Sequence, residues 1–177
     1  YKTGKKTFDL AEMRYGLGLQ MLLYLFALEQ EGGVLFGGKE IVPAGVLYTP
    51  AREPMLRCAR DTADETIEKA RRKELRRSGM VLEDPAVLQA MEHDALDAPE
   101  YLPVAVKKGG ALSGSLASEG QFAKLARYVD CVLREIAGEV FAGNIDADPY
   151  ARTPQQSACT DCEFSSACHF ENGRGGD

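Results

Sequence analysis

At 177 residues, with 45% hydrophobic and 27% charged side chains, the chain is long enough to bury a core of its own and too apolar to be disordered. Its formal net charge of −6 excludes a generally basic nucleic-acid coat but leaves room for a local cationic groove. The longest apolar stretch, Met21 to Leu28, is too short to cross a bilayer and no secretory leader is visible, so a cytoplasmic location with reduced thiols and no membrane partner is expected.

Tyr1-Lys2-Thr3-Gly4 opens the chain without an initiator Met and reads as a strand end entering a turn. Such an opening is expected of a segment cut from a longer polypeptide. Asp9 followed by Glu12 fits a capping box, in which the carboxylate accepts from early helix N–H groups. The spacing predicts one helix through AEMRYGLGLQMLLYLFALEQ, stopping at Gly32-Gly33. From Leu17 to Leu28 it is apolar on nearly every face, which predicts burial all round, with Gly16 and Gly18 permitting close backbone approach. Gln20 interrupts this stretch. A buried amide without a partner costs about 1–3 kcal/mol, and Tyr24, four residues on, is the partner that helix geometry offers.

IVPAGVLYTPARE predicts a strand at 44–49, bounded by Pro43 and Pro50. A charged helix is expected from Cys58 to Ser78, with Glu65–Lys69 and Glu68–Arg72 in the favourable i,i+4 order. Its second half carries Lys69, Arg71, Arg72, Lys73, Arg76 and Arg77. Because acidic residues are interleaved, a solvated face is favoured over a phosphate-facing stripe. The Asp84-Pro85 turn begins a short helix, and YLPVAVKKGGALSG reads as a strand and a glycine turn, with the pattern of a hairpin. A long amphipathic helix follows from Glu119 to Phe141, with Phe122, Leu125, Tyr128, Val129, Val132, Ile136 and Val140 as its core stripe and Gly143 as its stop. NIDADPYARTPQQSA is a polar connection, and NGRGGD a disordered tail.

Three of the five cysteines stand in C-x2-C-x5-C: Cys159, Cys162 and Cys168. A C-x2-C turn lets two thiolates reach one ion or cluster, and the set needs a fourth ligand. His169 could complete a Cys3His zinc site, or Cys58 or Cys131 could fold back. A disulfide staple and three unrelated loop thiols are the bland alternatives. The polar setting speaks against the latter, since free cysteines favour apolar surroundings. Cys131, within YVDCVLREIAGEVF, reads as a small core residue.

YKTGK followed by Gln20-Met-Leu-Leu-Tyr24 resembles the RecB-like branch of the PD-(D/E)XK nuclease superfamily, which carries Asp/Glu-x-Lys on a strand and Gln-x3-Tyr on the next helix. FDLAEMRYGLGLQMLLYLFAL, PAGVLYTPARE and the terminal C-x2-C-x5-C are more specifically similar to the C-terminal nuclease domains of AddB-type helicase–nuclease subunits, over essentially the whole chain.

The resemblance implies an α/β fold: a partial restriction-endonuclease-like core, helix-rich, with a C-terminal cysteine segment. It divides the chain into nuclease residues 1–150, an iron–sulfur segment 151–170 and a tail 171–177. It assigns Lys2, Gln20 and Tyr24 to the catalytic site, Lys2 positioning the attacking water and offsetting charge on the phosphorane. Cys159, Cys162 and Cys168 become three ligands of a [4Fe–4S] cluster. The implied activity is Mg2+-dependent DNA exonuclease in an ATP-dependent helicase–nuclease that acts in double-strand break repair by homologous recombination. The implied partners are double-stranded DNA ends, single-stranded DNA and an AddA-type helicase–nuclease chain.

The family's paired Mg2+ carboxylates, one of them two positions before the lysine, and its fourth cluster cysteine have no counterpart in residues 1–177, and Asp9, which follows the strand, is no substitute. These residues alone are therefore expected to be inert and to hold the cluster poorly. A catalytically inactive DNA-binding scaffold and a zinc-stapled structural module remain as alternatives.

Overall fold

Asp9 begins the first helix as its context predicts. Its backbone is extended (φ −131°) and its carboxylate accepts the Ala11 amide at 2.9 Å. This computed structural model describes residues 8–51, 53–153, 156–168 and 170. The predicted strand end at residues 1–4 and the tail at 171–177 lie outside the described residues.

The single helix expected from residue 10 onward is instead two. α1 (Leu10–Met13) is one turn, and α2 (Gln20–Leu35) follows a break at Gly16 and Gly18, both with left-handed backbone (φ 74° and 69°). Those glycines serve a turn, a conformation that other residues resist. α2 also runs through Gly32-Gly33. A Cβ on Gly32 would lie 3.2 Å from Ile41 Cγ1, so that glycine admits a packed neighbour. The helix ends at Phe36, before left-handed Gly37 and Gly38. Burial is confined to one side of α2, at Leu22 and Phe26, while Gln20, Tyr24 and Leu28 are exposed. The expectation of burial all round is thus corrected.

β1 (Gly45–Tyr48) forms where predicted. The charged helix is shorter than predicted: α3 spans Asp64–Leu75. Its expected last residue, Ser78, instead starts β2 (Ser78–Leu82), an apolar strand that the charged run concealed. α4 (Pro85–Met91) follows the Asp84-Pro85 turn as expected, and Asp84 caps it, its Oδ1 accepting the Val87 amide at 2.9 Å. β3 (Val104–Val106) and β4 (Leu112–Gly114) form the expected antiparallel hairpin, turning at left-handed Gly109-Gly110. β5 (Leu116–Ala117) had no counterpart in the sequence reading.

These elements build a mixed α/β fold. The main sheet has the order β1-β2-β5, with β2 antiparallel to β1 and parallel to β5. β2 is buried from Gly79 to Leu82, as a central strand should be. Val81 joins Leu88, Ala95, Leu102 and Val104 in a fully buried cluster against which Leu47 and Leu116 pack. Burying each such aliphatic side chain contributes about 1.5–3 kcal/mol. Two glycines let β1 and β2 approach: Gly45 pairs with Val81, and Gly79 pairs with Leu47.

α5 (Glu119–Ala142) matches its predicted span, and Gly143 follows with left-handed backbone (φ 69°). The chain divides into two compact units, Tyr1–Cys131 and Val132–Asp177. In the first, Phe122 and Val129 are buried as predicted, while Tyr128 is 41% exposed and its hydroxyl donates to the Arg14 carbonyl at 3.5 Å. In the second, Val132 is buried but Ile136 and Val140 are exposed, so the apolar stripe outruns the burial expected of it. Cys131 is exposed, which corrects its assignment to the core. The second unit also holds a short hairpin, β6 (Ala151–Thr153) with β7 (Gln156–Ser157), and α6 (Ser165–Cys168), a single turn. No helix among the described residues is long and apolar enough to cross a membrane.

Candidate functional site

Gln20 is the first residue of α2 and Tyr24 stands one turn later, so their side chains rise from the same helical face. Gln20 Nε2 donates to Tyr24 Oη at 2.9 Å. The partnership expected from spacing is present, but not the burial that motivated it: both residues face solvent, Tyr24 at 56% exposure. The bond uses one lone pair of the phenol oxygen and leaves the phenol proton to donate elsewhere. Leu22 and Phe26, on the opposite side of the same helix, fix it to the core. Lys2, the third predicted site residue, lies outside the described residues, as does His169.

Cys159 and Cys162 are half-buried, and Cys168 is exposed at the end of α6. Local hydrogen bonds shape this segment. The Cys159 amide donates to Ser157 Oγ at 3.2 Å, the Cys162 amide to the Cys159 carbonyl at 3.3 Å, and the Cys168 amide to the Phe164 carbonyl at 2.9 Å. The donor set, three thiols within ten residues, has the softness that zinc and iron–sulfur clusters require. Their placement does not match it: among the described residues, no three His, Cys, Asp or Glu side chains are gathered to hold a metal ion. The same holds for a carboxylate site around Gln20 and Tyr24, so no catalytic step is derived through a metal.

The basic run of α3 separates into two parts. Arg71 Nη2 donates to both oxygens of Glu53 at 2.9 Å, and this bond raises the Arg71 pKa above its ordinary value, with the Glu53 charge adding to it. Arg72 Nε meets Glu100 at 2.9 Å and Glu68 at 3.3 Å, the latter the i,i+4 pair expected from sequence. The Tyr101 hydroxyl is pushed above its ordinary pKa first by its hydrogen bond to Glu100. Arg71 and Arg72 therefore belong to a solvated, neutralised face, as the sequence reading favoured. Arg76 and Arg77, just past α3, differ. Arg76 Nε donates to the Leu102 carbonyl at 2.9 Å and its Nη2 to the Val104 carbonyl, and among the described residues Arg77 is bonded through its backbone alone, to Tyr101 O at 2.8 Å. Neither has a carboxylate partner among the described residues. Both lie past the end of α3 at Leu75, in the connection to β2.

Glu92 is the most heavily engaged carboxylate. Its oxygens accept the amides of Glu100 (2.6 Å), Tyr101 (3.1 Å) and Leu102 (2.9 Å), fixing the segment that leads into β3. Nothing in the sequence marked it.

Residues 1–169 match the PD-(D/E)XK nuclease superfamily. The chain is 34% identical over 174 residues to AddB, one of the subunits of the ATP-dependent helicase/deoxyribonuclease, from Clostridium kluyveri. It is 36% identical over 174 residues to the AddB of Clostridium botulinum (strain Loch Maree / Type A3) and 35% identical over 173 residues to that of Acetivibrio thermocellus. Each comparison covers 97% of this chain, which spans 15% of the length of each relative.

Proposed function

We propose, for a chain that belongs to the PD-(D/E)XK nuclease superfamily, that it is the nuclease domain of an AddB-type protein and takes part in hydrolysing DNA phosphodiesters. The observation that carries this reading is the solvent-facing Gln20–Tyr24 pair at the start of α2, in the sequence context that the superfamily match covers. Phosphodiester hydrolysis adds negative charge at phosphorus and needs donors aimed at the oxygens that receive it. The free phenol proton of Tyr24 is such a donor, and Gln20 holds the ring in place through the hydroxyl oxygen. Lys2 supplies the cation that offsets the growing charge and orients the attacking water.

Mg2+ is the metal this chemistry calls for: when bound, it lowers the pKa of water and neutralises phosphate charge. Among the described residues, no carboxylates are gathered to hold it. Cys159, Cys162 and Cys168 are the thiol donors proposed for an iron–sulfur cluster, a role that would require them to be drawn closer together than the described residues place them. The substrate is a DNA strand reached at a duplex end, the partner is an AddA-type helicase–nuclease chain, and the process is recombinational repair of double-strand breaks. The deciding assay is degradation of linear DNA by the intact protein with and without Mg2+. Loss of cleavage in Lys2→Ala, Gln20→Ala and Tyr24→Phe, with folding retained, is the expected result. Cleavage that none of the three alters would remove this site from the mechanism.

A further inference from the structure

Between the start of β2 and the β3–β4 hairpin lies an open cleft of about 380 Å3. Arg76, Arg77, Ser78 and Ser115 line it, together with Phe8 and residues of the hairpin, and none of the described lining residues is acidic. The two arginines are also the members of the α3 run that lack carboxylate partners among the described residues, whereas Arg71 and Arg72 are tied to Glu53, Glu68 and Glu100.

Arg76 is held in place. Two of its five N–H donors are committed to the carbonyls of Leu102 and Val104, which orients the guanidinium without neutralising it. The Arg77 backbone is fixed by its bond to Tyr101 O, and its guanidinium has no hydrogen-bond or ion-pair partner among the described residues. A fixed cation beside an adjustable one, with Ser115 in the same wall, is an arrangement suited to phosphate oxygens.

We infer that this cleft is a binding site for a phosphate of a nucleic-acid strand, with Arg77 as its principal contact and Arg76 as the preset charge behind it. The inference rests on the reading of the domain as acting on DNA. It adds a place where the strand is held apart from the Gln20–Tyr24 pair.

The test is a binding titration of the intact protein with a fluorescent single-stranded oligonucleotide in EDTA, which prevents cleavage, at several salt concentrations. Arg77→Ala should weaken binding by about 3- to 10-fold and reduce the salt slope of log K by about 0.7, the value for one lost phosphate contact on a single strand. Arg71→Ala removes the same unit charge from the same basic run but off the cleft, and should change affinity by no more than about twofold. Arg77→Lys should recover part of the loss, because charge is kept and the planar fork is not. The Arg77 variants should melt close to the wild type, since the side chain makes no hydrogen bond or ion pair with a described residue.

Equal effects of Arg77→Ala and Arg71→Ala would overturn the cleft while leaving DNA binding intact. A wild type that binds no strand would overturn the underlying DNA reading as well. Inorganic phosphate at matched ionic strength should not displace the strand. Selective loss of the Arg77-dependent binding on its addition would show a free-phosphate site and overturn the strand assignment.

Discussion

Gln20 Nε2 lies 2.9 Å from Tyr24 Oη, across one turn of an exposed helical face, with the glutamine as donor and the phenol as acceptor. The direction of this bond makes the two residues unequal. Tyr24 keeps a proton to give to an incoming group, while Gln20 acts through Tyr24. An exposed bond of this kind contributes little to folding, no more than about 1 kcal/mol. Tyr24→Phe should therefore leave urea stability within that margin while lowering the DNA cleavage rate of the intact protein by about 10-fold or more. Matched losses of stability and activity would place the pair in the scaffold instead.

Gly79 sets the closest backbone approach in the main sheet. It stands opposite Leu47, and a Cβ there would lie 1.9 Å from the Val46 carbonyl oxygen, with φ at 151° adding strain. Backbone on both sides leaves no flexible side chain to yield. Gly79→Ala should cost on the order of 3 kcal/mol or more in urea denaturation. Gly143→Ala, where an added Cβ meets nothing within 4 Å, should cost about 1 kcal/mol from its left-handed backbone alone.

Glu92 gathers three consecutive amides, those of Glu100, Tyr101 and Leu102. Replacing one carboxylate oxygen by an NH2 turns an acceptor toward donors. Glu92→Gln should lower stability by about 1–3 kcal/mol. Amide hydrogen exchange should show the cause directly, with residues 100–102 losing protection before β2 does. Uniform loss of protection throughout the unit would indicate that Glu92 has no such local role.

The fold was legible where a local chemical signal agreed with the tertiary outcome. Asp9 caps its helix in the predicted manner, the Asp84-Pro85 turn starts the predicted short helix, Gly109-Gly110 turns the predicted hairpin, and α5 follows its apolar period. Sequence reading failed where one composition covered two structures. β2 follows directly on an arginine-rich run whose charge masks the change of element, although Met80, Val81 and Leu82 form its buried heart. Apolar content along α2 and α5 also overstated burial. Tyr24, Leu28, Ile136 and Val140 are exposed, and hydrophobicity alone does not say which face a core reaches. At the site, i,i+4 spacing was enough to pair Gln20 with Tyr24, because helix geometry brings those positions together unaided. The division of the basic run was not legible, since it depends on Glu53 and Glu100, which lie 18 and 28 positions away from their arginine partners Arg71 and Arg72.

The thiols make a separate prediction. If Cys159, Cys162 and Cys168 bind a cluster, anaerobically purified intact protein should be brown and contain iron, and serine at any one of the three should reduce its iron content several-fold. Serine at Cys58 or Cys131, both exposed, should leave iron unchanged. A colourless protein with stoichiometric zinc would favour a structural zinc site.

The central claim is that this domain helps cut phosphodiesters, and single-turnover degradation of end-labelled linear DNA by the intact protein in Mg2+ tests it most directly. Wild type should cleave, and Lys2→Ala should slow the chemical step by about 100-fold or more with DNA affinity and melting temperature retained. A Lys2→Ala protein that cleaves at the wild-type rate would contradict it.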